Sequence, residues 1–553
     1  MTDPLTFYID GAWVASEGGR PYDVIDPSTE QAVTTITLGT QADVDKAVAA
    51  ATRAFETFSQ TTPEERADLL DRVIEVYKSR IPDLAKAVSQ EMGAPVGFAQ
   101  AAQAPAGLGY LMGTVKALRE FTFSEQVGKA RVVHEPIGVV AMITPWNWPL
   151  NQICAKVAPA LAAGNTMILK PSEEAPSCAM ILAEILHEAG VPAGVFNLVN
   201  GDGPTVGAAL STHPGVDMVS FTGSTRAGIA VAQAAAATVK RVHQELGGKA
   251  PNLVLEGADL ASVLPPTLQG VLANSGQSCI APTRLLVHDS QAEEAAQVAK
   301  AIFESVPVGD PAEMGAHIGP VVNKAQFDKI QALIQSAIDE GATLVTGGPG
   351  RPDGRNAGYY VRPTVFADVT PDMRIAREET FGPVATITRY TDRDEAVRLA
   401  NATEYGLSAA ISGDPAEAAK VAPRLRAGLV TINGWSGPVG TPFGGFKQSG
   451  NGREGGKYGI ADFMELKTIV GEPAYRPTSS PSFPRRRESR LADVASRPEP
   501  VACLDPRLRG DDGPWGSPTA SARTRSYASR PCRCCARGRS LRPPRTRRRA
   551  AVW

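Results

Sequence analysis

The chain has no long run of apolar residues and no export signal. A membrane-spanning helix needs about 20 consecutive apolar residues, and no stretch of the 553-residue sequence approaches that length. The first residues, Met1 to Leu5, lack the basic and apolar regions of a signal peptide. We therefore expect a cytoplasmic protein that does not enter a membrane.

Cysteine and histidine are scarce. Four of the seven cysteines lie after residue 500, which leaves Cys154, Cys178 and Cys279 for the rest of the chain. So few thiols argue against a disulfide framework and favour a reducing compartment. The six histidines show no metal-ligand spacing, and we expect no metal site.

Lysine is absent after Lys467, and this absence marks a change in composition. Residues 474–553 hold 19 arginines and 6 acidic residues, so the net charge of −2 conceals a charge of about −15 on residues 1–473. An acidic body offers no surface for nucleic acid. The chain is also longer than a single core supports, which predicts two or more domains.

Two common nucleotide-binding motifs are missing. After Gly201 and Gly203 the next glycine, Gly207, comes one position too late for the G-x-G-x-x-G fingerprint. The glycine-rich stretch 223–228 is followed by Ile229, where a P-loop requires lysine. A dinucleotide would have to be held in another way.

What is present is an alternation of strands and helices. Val139–Ile143, Thr166–Lys170 and Met218–Phe221 have the pattern of buried strands with helical segments between them. Such alternation predicts a parallel sheet with crossover helices, and ligands of such sheets bind beyond the carboxyl ends of the strands. Residues at or just past the ends of these strands should share one crevice: Asn147, Lys170, Glu173, Gly223 and Ser224.

A cysteine in a turn of small residues, Cys279, is the centre of a second pattern. A lone cysteine is often an inert, buried hydrophobe. Glu245, however, lies 34 residues upstream and is soon followed by paired glycines, and Asn147 lies between two tryptophans. A nucleophile, a carboxylate base and an amide donor are the parts needed for attack on a carbonyl group. The residues alone leave both interpretations open.

The segments around Asn147, Glu245 and Cys279, together with Phe221–Ser224 and Glu379–Pro383, resemble the NAD(P)-dependent aldehyde dehydrogenase superfamily. The resemblance runs from about residue 7 to about residue 470. It implies an α/β fold of aldehyde dehydrogenase type and a homodimer or homotetramer.

The resemblance also implies a division into domains. A Rossmann-like NAD-binding domain would comprise residues 1–117 and 137–247, and an α/β catalytic domain residues 248–445. A small β oligomerisation arm would comprise residues 118–136 and 446–473.

By the same resemblance Cys279 would be the nucleophile and Glu245 the general base. Asn147 would donate its side-chain amide to the oxyanion beside the backbone N–H of Cys279. Because CoA-acylating branches generally lack this carboxylate, Glu245 favours hydrolytic release of a free acid. Gln244 stands where the family commonly has leucine, and we expect a small effect on how Glu245 is held. His243 has no predicted role.

The expected cofactor is NAD, with NADP as the alternative. Glu173 should accept a hydrogen bond from the ribose 2′-hydroxyl and repel a 2′-phosphate. The residues that match the family's cofactor contacts are Trp146, Lys170, Glu173, Gly223, Ser224, Glu379 and Phe381.

The function predicted is oxidation of an aldehyde to a carboxylic acid through a thiohemiacetal and a thioester on Cys279. The residues of the motifs around Asn147 and Cys279 favour medium-chain or terpenoid-like aldehydes and oxo acids as substrates. A thiol hydrolase that uses Cys279 and Glu245 without a redox cofactor is one alternative. A non-catalytic member of the fold is another.

Residues 474–553 form a tail rich in proline, serine and arginine, with no sustained hydrophobic period. Such a segment cannot bury enough apolar surface to offset its ordering entropy, so we predict disorder. Two stretches, residues 481–490 and 504–512, look like translated bacterial intergenic repeats, and we interpret the tail as non-coding sequence fused to an enzyme. The alternatives are a metal site at Cys532–Cys535 and an arginine-rich nucleic-acid arm.

A chain that ends near Pro473 is expected to keep its oligomeric state, cofactor affinity and activity, because the tail has no predicted packing role. Size-exclusion chromatography and a dehydrogenase assay would compare it with the full chain. Aggregation or weaker cofactor binding of the shortened chain would contradict the prediction.

Overall fold

The computed structural model describes residues 3–472. The predicted tail, residues 474–553, lies outside the described residues. The three buried strands predicted from the sequence are all observed, and the third of them extends one residue further than predicted, to Thr222.

Strands account for the layers of the fold. The strands of residues 3–472 are β1 (Thr6–Ile9), β2 (Ala12–Ala15), β3 (Arg20–Asp26), β4 (Gln31–Leu38), β5 (Ser124–Val127), β6 (Ala130–Pro136), β7 (Val139–Ile143), β8 (Thr166–Lys170), β9 (Phe196–Leu198), β10 (Met218–Thr222), β11 (Arg241–Glu245), β12 (Pro251–Val254), β13 (Arg284–His288), β14 (Thr343–Thr346), β15 (Thr364–Ala367), β16 (Val384–Tyr390), β17 (Ser408–Ser412), β18 (Leu429–Ile432), β19 (Gly450–Asn451) and β20 (Met464–Val470).

Helices connect and cover the strands. The α-helices of the same residues are α1 (Gln41–Phe58), α2 (Pro63–Ser79), α3 (Ile81–Met92), α4 (Val96–Phe98), α5 (Ala104–Glu120), α6 (Pro149–Ala163), α7 (Ser177–Glu188), α8 (Ala208–Thr212), α9 (Thr225–Ala235), α10 (Leu260–Leu272), α11 (Ala292–Ser305), α12 (Lys324–Asp339), α13 (Arg374–Arg377), α14 (Arg393–Asn401), α15 (Pro415–Val421) and α16 (Gly456–Asp462). Short π or 3₁₀ turns lie at Ala99–Gln103, Gly203–Gly207, Ala236–Thr238, Ala273–Gly276, Asp289–Gln291, Ala422–Arg424 and Lys447–Ser449.

An eight-stranded sheet has the order β19-β11-β10-β7-β8-β9-β1-β2. Its five central strands, β11 to β9 in that order, are parallel, as the alternation predicted. β7 and β8 are buried along their whole length, which explains their nearly continuous apolar sequence. Helices α6 and α7 and the helices near the N-terminus contribute to one large apolar core on this sheet.

A seven-stranded sheet has the order β14-β15-β16-β13-β12-β17-β18 and is parallel except for β14. Helices α10 and α11 cover one face of this sheet, where they pack against side chains of β13, β15 and β16. The carboxyl-terminal residues of β11 and the start of β12 are separated only by the glycine-containing segment 246–250. The chain therefore passes directly from one sheet into the other beside Glu245.

A three-stranded antiparallel sheet, β20-β6-β5, joins two distant parts of the chain. β19 and α16 lie in the sequence between β18 and β20, but they are not part of this small sheet. β19 pairs with β11 in the eight-stranded sheet, and α16 contacts α5 and α6. The division into domains given above stays a prediction.

Helix α2 shows how local sequence sets an element boundary. Thr62 accepts a hydrogen bond from the backbone N–H of Glu65, and the Glu65 carboxylate accepts one from the backbone N–H of Thr62. This reciprocal cap, with Pro63 at the first helical position, satisfies backbone groups that the helix leaves unpaired. None of the helices in residues 3–472 is long and apolar enough to cross a membrane.

Candidate active site

Cys279 follows an irregular turn at the end of α10. Asn274 and Ser275 have left-handed backbone conformations, with φ of 56° and 55°, and Gly276 has φ of 75°. Non-glycine residues hold this conformation only where their surroundings fix it. A Cβ at Gly276 would lie 2.1 Å from the carbonyl group of Gly382, so glycine is required there.

The loop that carries Asn147 is tied to this turn. The Asn147 side chain donates to the Gln277 carbonyl over 3.1 Å, and the Asn147 carbonyl accepts from the Asn274 side chain over 2.8 Å. Gln103 donates to both loops, to the Asn147 carbonyl and to Asn274 Oδ1. Because these groups are buried, their hydrogen bonds hold the two loops in one arrangement. The second N–H of the Asn147 amide has no acceptor among the described residues.

The paired glycines after Glu245 allow close packing around the thiol. A Cβ at Gly248 would lie 2.4 Å from the Cys279 carbonyl oxygen, and a Cβ at Gly247 would lie 2.6 Å from the Glu379 carboxylate. The Gly248 N–H donates to Glu379 over 2.9 Å. Larger residues would push the Cys279 loop away from Glu379.

Glu245 ends β11 with its carboxylate buried. Neither of its oxygens has a hydrogen-bond partner among the described residues. Burial raises the pKa of Glu245 well above its ordinary value, and the charge of nearby Glu454 adds to the increase. Lys156 forms a 2.6 Å buried ion pair with Glu454, and its positive charge partly offsets the increase in the pKa of Glu245. A carboxyl group in this state takes up a proton readily, and no hydrogen bond within the described residues holds it.

The thiol of Cys279 is also held in its neutral form. Burial raises the pKa of Cys279, and the charges of Glu379 and Glu245 raise it further. The thiol therefore needs a base to become a nucleophile, since the thiolate is the reactive species. Cys154 and Cys178 are buried in the apolar core, and burial raises the pKa of Cys154 to about 12.

A cavity of about 480 Å³ lies at the carboxyl ends of the parallel strands. The crevice expected from the strand pattern is thus observed. Every predicted catalytic and cofactor residue lines this cavity: Trp146, Asn147, Lys170, Glu173, Gly223, Ser224, Glu245, Cys279, Glu379 and Phe381. The structure brings all of them together, while their roles stay predictions.

Three features of this cavity suit a dinucleotide. Lys170 and Glu173 form a 3.1 Å ion pair at its wall. Ser224 caps α9 by accepting a hydrogen bond from the backbone N–H of Ala227, so the amino end of an 11-residue helix faces the space. Such helix ends attract phosphate groups. Phe381 packs edge-on against Trp146 with ring centroids 5.5 Å apart and offers a flat apolar wall.

A second cavity of about 330 Å³ lies on the other side of Cys279. Cys279 and Gln152 are the residues that line both cavities. In the described part of the chain, no charged side chain lines this second space. Its aromatic lining residues are Tyr110, Trp148, Trp435 and Phe443. The sequence motifs did not predict this cavity. Most of its lining residues belong to the loop at residues 435–443, which lies outside those motifs.

Gln244 turns away from Glu245, since neighbouring strand residues face opposite sides of a sheet. Its amide donates to the Gly228 carbonyl over 2.6 Å and accepts from Asn451 over 3.3 Å. These bonds link β11 to α9 and to β19. His243, which had no predicted role, faces the same side as Glu245, with its Nε2 4.0 Å from Glu245 Oε1.

The chain matches the aldehyde dehydrogenase family over residues 13–469 and belongs to that family. It is 52% identical over 473 residues to 3-succinoylsemialdehyde-pyridine dehydrogenase of a Pseudomonas species, a match that covers 85% of this chain and 99% of that protein. As a member, it is an oxidoreductase that converts aldehydes to acids.

Solved structures share the fold. An aldehyde dehydrogenase of Bartonella henselae is 50% identical, with a TM-score of 0.83 over 85% of this chain and all of that one. Aldehyde dehydrogenase C of Pseudomonas syringae, a cysteine-to-alanine mutant complexed with NAD+ and octanal, is 49% identical, with a TM-score of 0.84 over 86% of this chain and 98% of that one. The predicted α/β fold of aldehyde dehydrogenase type is confirmed.

The raised pKa of Glu245 predicts how the acid-releasing step depends on pH. A base acts only when deprotonated, so the rate of acid release should rise as the pH rises through the elevated pKa of Glu245. Glu245→Gln should remove this dependence and slow acid release by roughly 10²-fold, the lower end for a general base. Rapid mixing that follows reduced nicotinamide and acid separately would measure both steps.

In that variant a burst of reduced nicotinamide should appear or grow, because hydride transfer precedes the slowed step. Glu294→Gln, which changes an exposed carboxylate on α11, is the matched control. An unchanged pH dependence of acid release in Glu245→Gln would contradict the role of this carboxylate.

Proposed function

We propose that this protein oxidises uncharged aldehydes with apolar tails to free carboxylic acids, with NAD+ as the oxidant and Cys279 as the covalent nucleophile. The observation that supports this most is the position of Cys279 between two cavities of different character. One has the charged and helix-end features that suit a dinucleotide, and the other is apolar. An aldehyde carbon at Cys279 Sγ would lie where both ligands meet.

The chain's own groups perform the covalent steps. The Cys279 thiolate attacks the aldehyde carbon to form a thiohemiacetal. The free N–H of the Asn147 amide and the backbone N–H of Cys279 stabilise the oxyanion; loss of one such donor costs on the order of 10²–10³ in turnover. NAD+, when bound, supplies the hydride acceptor that turns the thiohemiacetal into a thioester.

Release of the product depends on Glu245. Its carboxylate takes a proton from a water molecule that attacks the thioester, which frees the acid and restores the thiol. The absence of hydrogen-bond partners on both Glu245 oxygens in the described residues supports this role, because no protein donor competes with water for the carboxylate. The protein is therefore proposed to be hydrolytic rather than CoA-acylating.

Seven residues of the larger cavity would hold the cofactor: Trp146, Lys170, Glu173, Gly223, Ser224, Glu379 and Phe381. Glu173 would bind the adenosine ribose, Ser224 and the amino end of α9 the pyrophosphate, and Glu379 the nicotinamide ribose. The NAD+ complexes of the Pseudomonas syringae enzyme and of a Mycobacterium tuberculosis aldehyde dehydrogenase, 36% identical over 85% of this chain with a TM-score of 0.83, support NAD+ as the cofactor.

The substrate class follows from the second cavity. A carboxylate-bearing aldehyde would lose its water shell there without gaining a cationic partner, which is costly. Aromatic walls suit alkyl chains and rings. Octanal in the Pseudomonas syringae complex and the pyridine in the name of the Pseudomonas dehydrogenase are consistent with such a tail.

We also propose the finer organisation that the resemblance implied. The three-stranded sheet β20-β6-β5 exposes apolar side chains: Val127 is 54%, Leu466 65% and Val470 74% exposed. Such residues on a small sheet suit contact with another copy, which supports a homodimer or homotetramer built through this arm. The predicted NAD-binding and catalytic domains and the cytoplasmic location belong to the same proposal.

An aldehyde panel tests the proposal. With NAD+, neutral alkyl and aryl aldehydes should be oxidised with a lower KM than aldehydes of equal length that end in a carboxylate. Formation of reduced nicotinamide gives the rate. A preference for the carboxylate-bearing members would contradict the substrate class.

Cys279→Ala should abolish this activity, since no other group in the described part of the site can attack the aldehyde carbon. Its affinity for NAD+, measured by calorimetry, should remain because the thiol lies at the far end of the cofactor cavity. Cys154→Ala, at a buried cysteine in the core, is the matched control for the chemistry. Substantial turnover by Cys279→Ala would overturn the covalent mechanism.

Glu173→Gln should weaken the preference for NAD+ over NADP+, because the variant cannot repel a 2′-phosphate by charge. The kcat/KM for NAD+ divided by that for NADP+ should fall by about tenfold, which is equivalent to about 1.4 kcal/mol. Glu174→Gln, at the neighbouring carboxylate of the same cavity, is the control. A wild-type protein that already favours NADP+ would contradict the role of Glu173.

A further inference from the structure

Gln152 is a polar residue at the boundary of the two cavities. It lines both the cofactor cavity of about 480 Å³ and the apolar cavity of about 330 Å³, hereafter the aldehyde cavity, as Cys279 does. The residue is only 6% exposed. Its side-chain amide forms no hydrogen bond with the residues that the structure describes, whereas buried polar groups in folded proteins nearly always have a partner. The position of the amide on a cavity wall indicates that a bound molecule supplies that partner.

Helix α6 holds Gln152 in this position. Nearly every residue of the helix is buried. One turn before Gln152, the Trp148 indole donates to Ser278 Oγ over 2.8 Å, which ties the start of the helix to the residue before Cys279. One turn after Gln152, on the same side of the helix, a buried ion pair fixes Lys156. The amide therefore lies on a rigid element at the boundary that the nucleophile shares.

The other polar residues of the aldehyde cavity differ from Gln152. Ser278 is buried, but its Oγ already accepts the hydrogen bond from Trp148. Tyr110 keeps its hydroxyl proton because burial raises its pKa, yet this residue does not line the cofactor cavity. Asn151 does not line the cofactor cavity either, and it is only half-buried. In the described part of the chain, Gln152 is thus the one buried amide common to both cavities.

The free energy of substrate binding depends on what meets this amide. Water satisfies a polar group on a cavity wall when no substrate is bound. A plain alkyl chain displaces that water and leaves the amide without a partner, which is unfavourable. An oxygen atom on the chain replaces the lost hydrogen bond. A site that forms a hydrogen bond to its substrate rejects analogues without the bonding group more strongly than an apolar pocket rejects a shorter chain.

We propose that Gln152 is a specificity-determining residue that selects aldehydes with a neutral oxygen atom close to the aldehyde carbon, through a hydrogen bond donated by its side-chain amide to that oxygen. This inference rests on the proposed function and narrows its substrate class. The apolar tail occupies the aromatic part of the aldehyde cavity, and an ether, ketone or hydroxyl oxygen lies against Gln152. A carboxylate at the same place still lacks a cationic partner.

Ethers that match octanal in chain length test the proposal, because an ether oxygen replaces a methylene group with little change in shape. The oxygen stands at the third chain position in pentyloxyacetaldehyde, at the fifth in propoxybutanal and at the seventh in methoxyhexanal. Formation of reduced nicotinamide at saturating NAD+ gives kcat and KM for each aldehyde. The ether preference is the kcat/KM for an ether divided by that for octanal. In the wild type it should be greatest for pentyloxyacetaldehyde and absent for methoxyhexanal.

Gln152→Met removes the donor and keeps a side chain of similar length. The ether preference for pentyloxyacetaldehyde should fall by about tenfold, the factor that corresponds to one neutral hydrogen bond. The change should lie mainly in KM, since the bond is present before and during the reaction. The kcat/KM for octanal should rise, because its chain no longer buries an unpaired amide. The inductive effect of the ether oxygen on the aldehyde carbon is the same in both proteins and cancels in this comparison.

Gln335→Met is the matched control, at an exposed glutamine of α12 that lines neither cavity, and it should keep the wild-type ether preference. Gln152→Leu provides the test if Gln152→Met does not fold. An ether preference unchanged in the Gln152 variants would overturn the proposal, as would a wild type that oxidises octanal and all three ethers equally well.

Two further results would assign the amide another role and also overturn the proposal. Weaker NAD+ binding by Gln152→Met, with every aldehyde slowed by the same factor, would assign the amide to the cofactor. Loss of the ether preference in Tyr110→Phe, with the preference retained in Gln152→Met, would assign the hydrogen bond to the Tyr110 hydroxyl.

The proposed function and this selectivity fail in different ways. If the wild type forms no reduced nicotinamide from octanal or from any of the ethers, the proposed function is wrong. If it oxidises them and the ether preference does not depend on Gln152, the role of Gln152 alone is wrong.

Discussion

The buried hydrogen bonds between the Asn147 loop and the Cys279 turn are the contacts on which the site depends. Asn147 follows a strand of the eight-stranded sheet, whereas Cys279 lies between a helix and a strand of the seven-stranded sheet. Their shared partners, Gln103, Asn274 and Gln277, are buried, so no water competes for these bonds. A site assembled from two sheets thereby gains a fixed geometry. The same hydrogen bonds hold the turn residues in a left-handed backbone conformation that non-glycine residues disfavour.

Burial sets the chemistry of this site as well as its geometry. It raises the pKa of both Cys279 and Glu245, so the resting site carries a neutral thiol beside a carboxyl group that retains its proton readily. A neutral thiol resists oxidation better than a thiolate does. The same environment raises the free-energy cost of any proton transfer that leaves a charge near Glu245, because little solvent is there to stabilise that charge.

The sequence predicted those parts of the site that depend on local pattern. β7 and β8 begin and end as expected, and the polar residues after them lie in one cavity, because parallel strands place their carboxyl ends at one edge. The surroundings of His243 could not be predicted in this way. Glu454 and Asp462 lie more than 200 residues later in the chain, and the pairing of β19 with β11 and the packing of α16 bring them to β11. The walls of the apolar cavity come from a loop without periodic sequence, which no pattern rule could place.

The two cavities meet only at Cys279 and Gln152 among the described residues. This arrangement allows the choice of aldehyde to change independently of cofactor binding. Substitutions at Trp435 or Phe443 change the space open to an aldehyde and leave the walls of the dinucleotide cavity untouched. A lineage can therefore acquire a new substrate by altering one loop without rebuilding cofactor binding. The constraint falls on the shared wall, because a substitution at Cys279 or Gln152 alters both spaces at once.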